Sequence, residues 1–168
     1  MTVRGWSRRG RVAAGVAAAG LVAGAGLVAY ELDSPVFGLA QAPLAKGPAC
    51  ARLADRYPDR LDGVGRDPVT FEGLAVWGHG AVELRCGLTP PGPTTDACVS
   101  VDGVDWVWRE RAGGRTGDRK YLVTYGRSPA VEVSIADSVT RPDAVLLDLS
   151  HLVAPVRASA KCLDSNGD

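Results

Sequence analysis

Four cysteines are the side chains of this 168-residue chain best suited to covalent or metal chemistry. They are Cys50, Cys86, Cys98 and Cys162. Their spacing gives neither a Cys-x-x-Cys redox pair nor the paired ligands of a zinc site. In a protein exported to an oxidising compartment, four cysteines are typical of two disulfides, with three possible connectivities. We therefore expect covalent staples, and we predict no metal and no cofactor.

Two histidines are the candidate acid–base groups. His79 lies between Gly78 and Gly80 in a predicted turn, where an imidazole could act near neutral pH. His151 follows Asp148 by three positions, a spacing that permits a surface contact between the two side chains. The sequence has no Gly-x-Ser-x-Gly elbow, no His-Glu-x-x-His helix and no phosphate-binding glycine loop. We therefore predict no catalytic residues.

Three of the four tryptophans offer aromatic surface for a sugar or a partner protein. Trp106 and Trp108 share one face of a predicted strand with Val104, and Trp77 is nearby in the chain. With His79 they form the candidate interaction surface: Trp77, His79, Trp106 and Trp108. The same alternation is typical of a protein core, in which case Trp108, near the strand end, is more exposed than Trp106.

The first predicted element is an uncharged run, residues 12–30. Four arginines precede this run, and Glu31 follows it. At about 1.5 Å per residue this run approaches the hydrocarbon thickness of a bilayer, and cationic flanks stay cytoplasmic. A cleaved signal peptide, with secretion of the domain, is the alternative. The predicted organisation is a cytoplasmic basic segment (1–11), a transmembrane helix or uncleaved signal anchor contacting the lipid bilayer (12–30), a linker (31–47), an extracytoplasmic domain (48–160) and a tail (161–168).

Periodicity predicts an α+β fold for the extracytoplasmic domain, with an antiparallel sheet of five or six strands covered by two helices. Apolar residues recur at helical spacing from Cys50 to Tyr57 and from Val145 to Val153. Residues up to Thr70 form a polar stretch, and Asp102-Gly103 is a hairpin dipeptide. A period of two predicts strands in the segments 71–77, 81–87, 98–101, 104–109, 121–125 and 131–135.

The same pattern favours one disulfide pairing and leaves another open. Cys50 belongs to the apolar stripe of the first helix and Cys86 to the apolar face of its strand, so both point into one helix–sheet interface. That pairing leaves Cys98 and Cys162, which would tie the tail to the outer face of the sheet. The alternative joins Cys86 to Cys98 across a proline-rich loop and leaves Cys50 for Cys162.

The charge distribution argues against nucleic acid as a partner. Four of the 19 basic residues precede residue 31, whereas all 19 acidic residues follow residue 30. The body is therefore mildly acidic, and it lacks the concentrated basic face that phosphate backbones require.

Four motifs of the body are specific in combination and in this order. They are Ala49-Cys50-x-x-Leu53, Trp77-Gly78 with Val82-x-Leu84-Arg85-Cys86-Gly87, Val101-Asp102-Gly103-Val104-Asp105-Trp106, and Tyr125-Gly126-Arg127-x-Pro129-x-Val131-Glu132-Val133. Over about residues 48–155 the chain resembles the actinobacterial family called domain of unknown function 3515. One departure is Gly80, where the family tends to have proline.

The resemblance implies a single-pass membrane or exported protein. It also implies the pairing of Cys50 with Cys86, with Cys98 and Cys162 as an additional pair, and it brings no catalytic or binding residues. We therefore predict a membrane-tethered, noncatalytic domain outside the cytoplasm that binds or scaffolds an envelope protein or glycan. The alternative is an envelope hydrolase that uses His79 and a nearby carboxylate.

Overall fold

A computed structural model describes residues 39–109 and 119–163 of the chain. The predicted basic segment and membrane span, residues 1–11 and 12–30, lie outside the described residues, as does the end of the predicted tail, 164–168. Within the described residues, no helix has the length and apolarity needed to cross a bilayer.

The described residues form two helices, a two-stranded ribbon and a six-stranded antiparallel sheet. In chain order the elements are α1 (Pro48–Ala54), β1 (Arg60–Leu61), β2 (Val64–Gly65), β3 (Leu74–Trp77), β4 (Val82–Leu88), β5 (Cys98–Val101), β6 (Val104–Arg109), β7 (Arg119–Thr124), β8 (Ala130–Ala136) and α2 (Pro142–Val153). The predicted antiparallel sheet with two helices is confirmed, and its strands number six.

The strand order in the sheet is β3-β4-β8-β7-β6-β5. Strands β5 to β8 form a meander of neighbouring pairs, and the β3–β4 hairpin joins it because β4 pairs with β8. The connection from β4 to β5, residues 89–97, therefore has to reach the opposite edge of the sheet.

Two Asp-Gly dipeptides close tight hairpins. Asp102 and Gly103 join β5 to β6 with φ angles of 48° and 74°, and Asp62 and Gly63 join β1 to β2 with 44° and 83°. When φ is positive at both central residues of a two-residue turn, the twist of the turn matches the twist of the two strands that it joins. Aspartate and glycine tolerate this conformation. The β5–β6 hairpin agrees with the sequence prediction. The β1–β2 ribbon lies in the stretch expected to be merely polar, although Asp62-Gly63 carries the same signal.

The core lies between one face of the sheet and the two helices. Trp77 and Trp106 are fully buried there, together with the apolar side chains of β4 and β8. Helix α1 contributes Cys50 and Leu53 to the core. Cys50 meets Cys86 in a disulfide with a Cα–Cα distance of 5.7 Å, which is the pairing that the helix and strand periodicities favour.

The opposite face of the sheet, here called the outer face, is also covered over β4 and β8. An antiparallel sheet with helices on one side commonly exposes the other side to water. Here Glu83 and Glu132 of the outer face are only 5% and 8% exposed. Arg119 lies 3.3 Å from Glu83, and Arg85 lies 3.0 Å from Glu132, so the buried carboxylates have guanidinium partners.

Residues 39–47, which fall in the predicted linker, pack against β4. Ala42 and Ala45 are buried, and the Leu44 N–H donates to the Gly87 carbonyl at 2.9 Å. Gly87 has a φ of +107°, and a Cβ there would lie 2.3 Å from the Ala45 nitrogen. Because only glycine permits this approach, the packed body begins before residue 48.

Candidate functional site

Two segments cross the outer face and build the candidate site. The first, residues 89–97, connects β4 to β5, and its beginning borders a cavity of about 250 Å³ over Arg109, Tyr121 and Glu132. The second, residues 154–163, leaves α2, passes the β7–β8 connection and reaches Asp105 of β6 and Cys98 of β5. We call these segments the proline-rich strap (89–97) and the C-terminal strap (154–163).

Arg127 anchors the start of the C-terminal strap. Its guanidinium donates to the carbonyl oxygens of Ala154 at 2.8 Å and Gly103 at 3.1 Å, and also to that of Val156. These donors supply partners for carbonyls that the end of α2 leaves free. Burial lowers the pKa of Arg127, and the negative charge of Asp105 opposes this shift.

Gly126 holds the middle of the same strap. Its carbonyl accepts a hydrogen bond from the Ser159 N–H at 2.7 Å and one from the Ser159 hydroxyl at 3.1 Å. Gly126 has a φ of +67°, and a Cβ at this position would lie 2.0 Å from the Ala160 carbonyl oxygen. The Tyr125-Gly126-Arg127 motif of the sequence therefore serves to dock the strap.

The end of the strap is fixed covalently. Cys162 forms a disulfide with Cys98 of the edge strand β5, with a Cα–Cα distance of 6.4 Å. The Cys162 N–H donates to Asp105 Oδ2 at 2.8 Å. The tail is thus tied to the outer face, as expected for the additional cysteine pair.

A cleft of about 730 Å³ opens between the two straps. Its floor is the outer face of β5 and β6, one wall is the proline-rich strap, and the other is the end of the C-terminal strap. The lining residues include Thr94, Thr95, Asp96, Ser100, Tyr125 and Lys161. The volume lies in the range of about 300–1,000 Å³ that is usual for ligand pockets.

The carboxylates that line the cleft already have partners in the protein. Asp96 pairs with Arg109 at 2.8 Å, and Asp105 accepts the Cys162 N–H. Asp105 also faces the charge of Arg127. The ammonium of Lys161 belongs to an exposed residue at the rim. Among the other residues that line the cleft, the polar groups include several hydroxyls, one of them on a tyrosine ring.

His79 lies in the β3–β4 turn with its side chain 97% exposed. Its backbone N–H donates to Asp67 Oδ2 at 2.8 Å, and its Nδ1 lies 3.7 Å from Asp67 Oδ1. His79 has a φ of 54°, so Asp67 supports a left-handed residue in a tight turn. The structure thus provides a carboxylate near His79, but the imidazole itself lies in solvent.

The four residues of the candidate interaction surface are not brought together on the surface. Trp77 and Trp106 are buried, and their indole N–H groups donate to the Pro58 carbonyl and the Ser150 hydroxyl, each at 2.9 Å. Trp108 is 41% exposed, because it lies near the end of β6. Only Trp108 and His79 of this set are therefore accessible.

His151 contacts a partner that sequence spacing does not suggest. Its Nε2 lies 2.9 Å from Asp102 Oδ2 in the β5–β6 turn, rather than against Asp148 on its own helix. Both side chains of this pair are more than half exposed. Among residues 39–109 and 119–163, no group of three or more His, Cys, Asp or Glu side chains is placed to hold a metal ion.

Apart from Cys98 and Cys162, the residues that line the cleft are absent from the sequence-based candidates. One signal points toward them: Cys98 and Ser100 share a strand face opposite Val99 and Val101, so a bond from Cys98 to Cys162 must draw the tail over the outer face. No local pattern indicates that the proline-rich strap forms the second wall.

Comparison with known proteins places the chain in a family. The model of a family described as a protein of unknown function, DUF3515, matches residues 12–161. No curated protein and no solved structure matches the chain.

Proposed function

This chain belongs to the DUF3515 family of proteins of unknown function, and from that premise we propose that it is a membrane-tethered, noncatalytic binding domain of the cell envelope. The cleft between the proline-rich strap and the C-terminal strap is the proposed binding site. The observation that carries the proposal is the construction of this cleft: Arg127, Gly126 and a disulfide hold one wall in place over a polar floor. Rigid walls lower the cost of ordering a site when a ligand binds.

Sequence and disulfides support the location. Residues 12–30 carry no charge and follow four arginines, the arrangement of a helix that keeps its N-terminus in the cytoplasm. None of the four cysteines is free, and such pairing is typical of an oxidising compartment. The proposal therefore has residues 12–30 in the bilayer and the packed body outside the cytoplasm.

The location is tested by the mass and accessibility of the protein in membranes. Intact mass of the membrane-bound protein is expected to include Arg4 and Arg11, and a protease added outside cells stripped of their wall is expected to reach the body. A mature N-terminus at Tyr30 or Gln41, or a body protected from that protease, would show that the chain is not tethered in this way.

The binding role is tested by hydrogen–deuterium exchange of the full chain in native envelope vesicles and after purification in detergent. Backbone amides of residues 94–100 and 159–163 are expected to exchange more slowly in the vesicles, where the ligand is present. Ser100→Trp, which fills the cleft, is expected to remove this difference. Ser138→Trp, at an exposed serine outside the cleft lining, is the matched control and is expected to keep it.

Equal exchange of these amides in vesicles and detergent, or the same protection in the Ser100→Trp variant, would contradict the proposal.

The hydrolase alternative draws on a single observation, the 3.7 Å separation between His79 and Asp67. The binding role of the cleft is favoured over a hydrolase, because Asp67 already accepts a hydrogen bond from the His79 backbone N–H and because the imidazole is almost fully in water.

A further inference from the structure

We infer that the cleft binds a neutral, hydroxyl-rich ligand, a short oligosaccharide of the envelope. This inference rests on the proposed function and names the chemical class of its ligand. It is drawn from the charges, the hydroxyl groups and the aromatic ring that line the cleft.

The charges of the cleft do not match a strongly charged ligand. Asp96 is paired with Arg109, and Asp105 is held by the Cys162 N–H beside the charge of Arg127. A cationic ligand would therefore have to compete with groups of the protein for both carboxylates. An anionic ligand would meet Lys161 but also the two carboxylates, which repel it.

The remaining polar groups match sugar hydroxyls. Thr94, Thr95, Ser100 and Tyr125 each carry an oxygen that both donates and accepts hydrogen bonds, as every hydroxyl of a sugar does. The Thr94 oxygen accepts the Asp96 N–H at 3.1 Å, and its own hydrogen is left to donate. Carboxylate oxygens that already accept one hydrogen bond retain lone pairs for further donors.

Tyr125 is the aromatic residue among those that line the cleft. It is half-buried and lies just after β7, next to the glycine that docks the C-terminal strap. A tyrosine ring offers a flat apolar body and a polar tip, a combination suited to a sugar ring that presents C–H groups on its face and hydroxyls at its rim. The volume of about 730 Å³ leaves room for more than one such ring.

Titration of the full chain in a sugar-free zwitterionic detergent tests the inference, because glycoside detergents would compete for the site. The probes are three neutral trisaccharides (triacetylchitotriose, maltotriose and mannotriose), trilysine and inorganic phosphate, with binding followed by calorimetry and backbone amide shifts. We expect saturable binding of at least one trisaccharide, with shifts at residues 94–100 and 161–163. Raising the ionic strength from about 0.05 M to about 0.5 M is expected to leave the affinity unchanged, because the trisaccharides carry no charge that salt could screen.

Variants separate the cleft from the rest of the surface. Ser100→Trp and Tyr125→Ala are each expected to weaken trisaccharide binding at least about tenfold, the effect of losing about 1.4 kcal/mol. Thr95→Val is expected to weaken it less, because it removes one hydroxyl at nearly constant shape. Ser138→Trp is the control and should bind as the unaltered chain does.

Binding of trilysine or phosphate without any trisaccharide would overturn the inference, as would trisaccharide binding that Ser100→Trp leaves unchanged. If all probes fail while the vesicle experiment still shows protection at the cleft, the ligand is not a saccharide and the proposed binding role survives. If the protection is absent as well, both proposals fail.

Discussion

Tyr57 carries a phenolic oxygen that is buried without a hydrogen-bond partner among the described residues. Its ring packs edge-to-face on Trp77, with ring centroids 6.2 Å apart and an interplanar angle of 76°. Burial raises the pKa of Tyr57 well above its usual range, and the positive charge of Arg66 opposes this shift. A hydroxyl that loses water without gaining a partner costs about 1–3 kcal/mol, so this residue stabilises the core through its ring alone.

Tyr57→Phe is therefore expected to raise the free energy of unfolding by about 1 kcal/mol at neutral pH. The folded state holds the Tyr57 proton more tightly than the unfolded chain, in which tyrosine titrates near a pKa of about 10. Above that pH the unfolded state binds fewer protons, so the unaltered protein loses stability as the pH rises and the gap to the variant widens. Urea unfolding at neutral and strongly alkaline pH measures both effects. Tyr125→Phe is the control, and a Tyr57→Phe protein less stable than the unaltered chain would show that the hydroxyl has a partner.

His79→Ala is expected to change the free energy of unfolding by less than about 0.5 kcal/mol, because its side chain is almost entirely in water. Asp67→Ala is expected to cost about 1 kcal/mol, because the His79 N–H loses its acceptor. Thermal unfolding of both variants makes the comparison. A His79→Ala protein that folds and reaches the membrane but fails to complement a deletion, while Ser100→Trp complements it, would favour the hydrolase over the binding domain.

At the scale of elements, one guanidinium holds the start of the C-terminal strap. Arg127 bonds three carbonyls that come from the end of α2, the strap and the β5–β6 turn. An arginine has five N–H donors in a planar fork, which a lysine does not reproduce. The strap also lacks regular structure of its own, so its position beside the β7–β8 connection and β6 comes from such contacts and from the disulfide.

Arg127→Met is expected to destabilise the protein by about 2–4 kcal/mol, because one buried and two part-buried hydrogen bonds to carbonyls are lost. Arg127→Lys is expected to recover only part of this loss. Thermal unfolding gives the magnitude, and hydrogen exchange at residues 154–163 shows whether the strap is the part that loosens. Arg157→Met, at an exposed arginine of the same strap, is the matched control. Equal losses in the two methionine variants would mean that the carbonyl contacts of Arg127 do not hold the strap.

At the scale of the whole molecule, two disulfides close loops of different length and different surroundings. The Cys50–Cys86 bond spans 36 residues and lies in the core, whereas the Cys98–Cys162 bond spans 64 residues on the outer face. Loop-closure entropy gives both bonds about 4 kcal/mol, with the longer loop slightly favoured. Burial therefore decides which bond matters more to stability.

Replacing Cys50 and Cys86 together by alanine is expected to lower the melting temperature more than replacing Cys98 and Cys162. The first change leaves a cavity among side chains that are fully buried, and the second changes a bond whose Cys98 is exposed. The second pair of changes is expected instead to weaken ligand binding, because it frees one wall of the cleft. Equal melting temperatures for the two double variants, or the reverse order, would show that burial does not decide which disulfide contributes more to stability.

Local patterns in the sequence predicted most of the elements and favoured one covalent link. The alternation around Val82, Leu84 and Cys86 defines a strand and its buried face, and the helical spacing of Cys50 and Leu53 directs that cysteine to the same interface. Asp102-Gly103 determines a hairpin in the same way. Each of these signals acts over a few residues, through backbone geometry and the side on which an apolar group falls.

Only the tertiary structure decided how the outer face is used. The pairing of β4 with β8 sends residues 89–97 across the sheet, and the Cys98–Cys162 bond brings the C-terminal strap beside them. The cleft, the burial of Glu83 and the contact of His151 with Asp102 all follow from these long-range placements. Alternation along a strand shows which side chains share a face, but what covers that face depends on segments distant in the chain. For that reason the cleft has no signature in any single stretch of sequence.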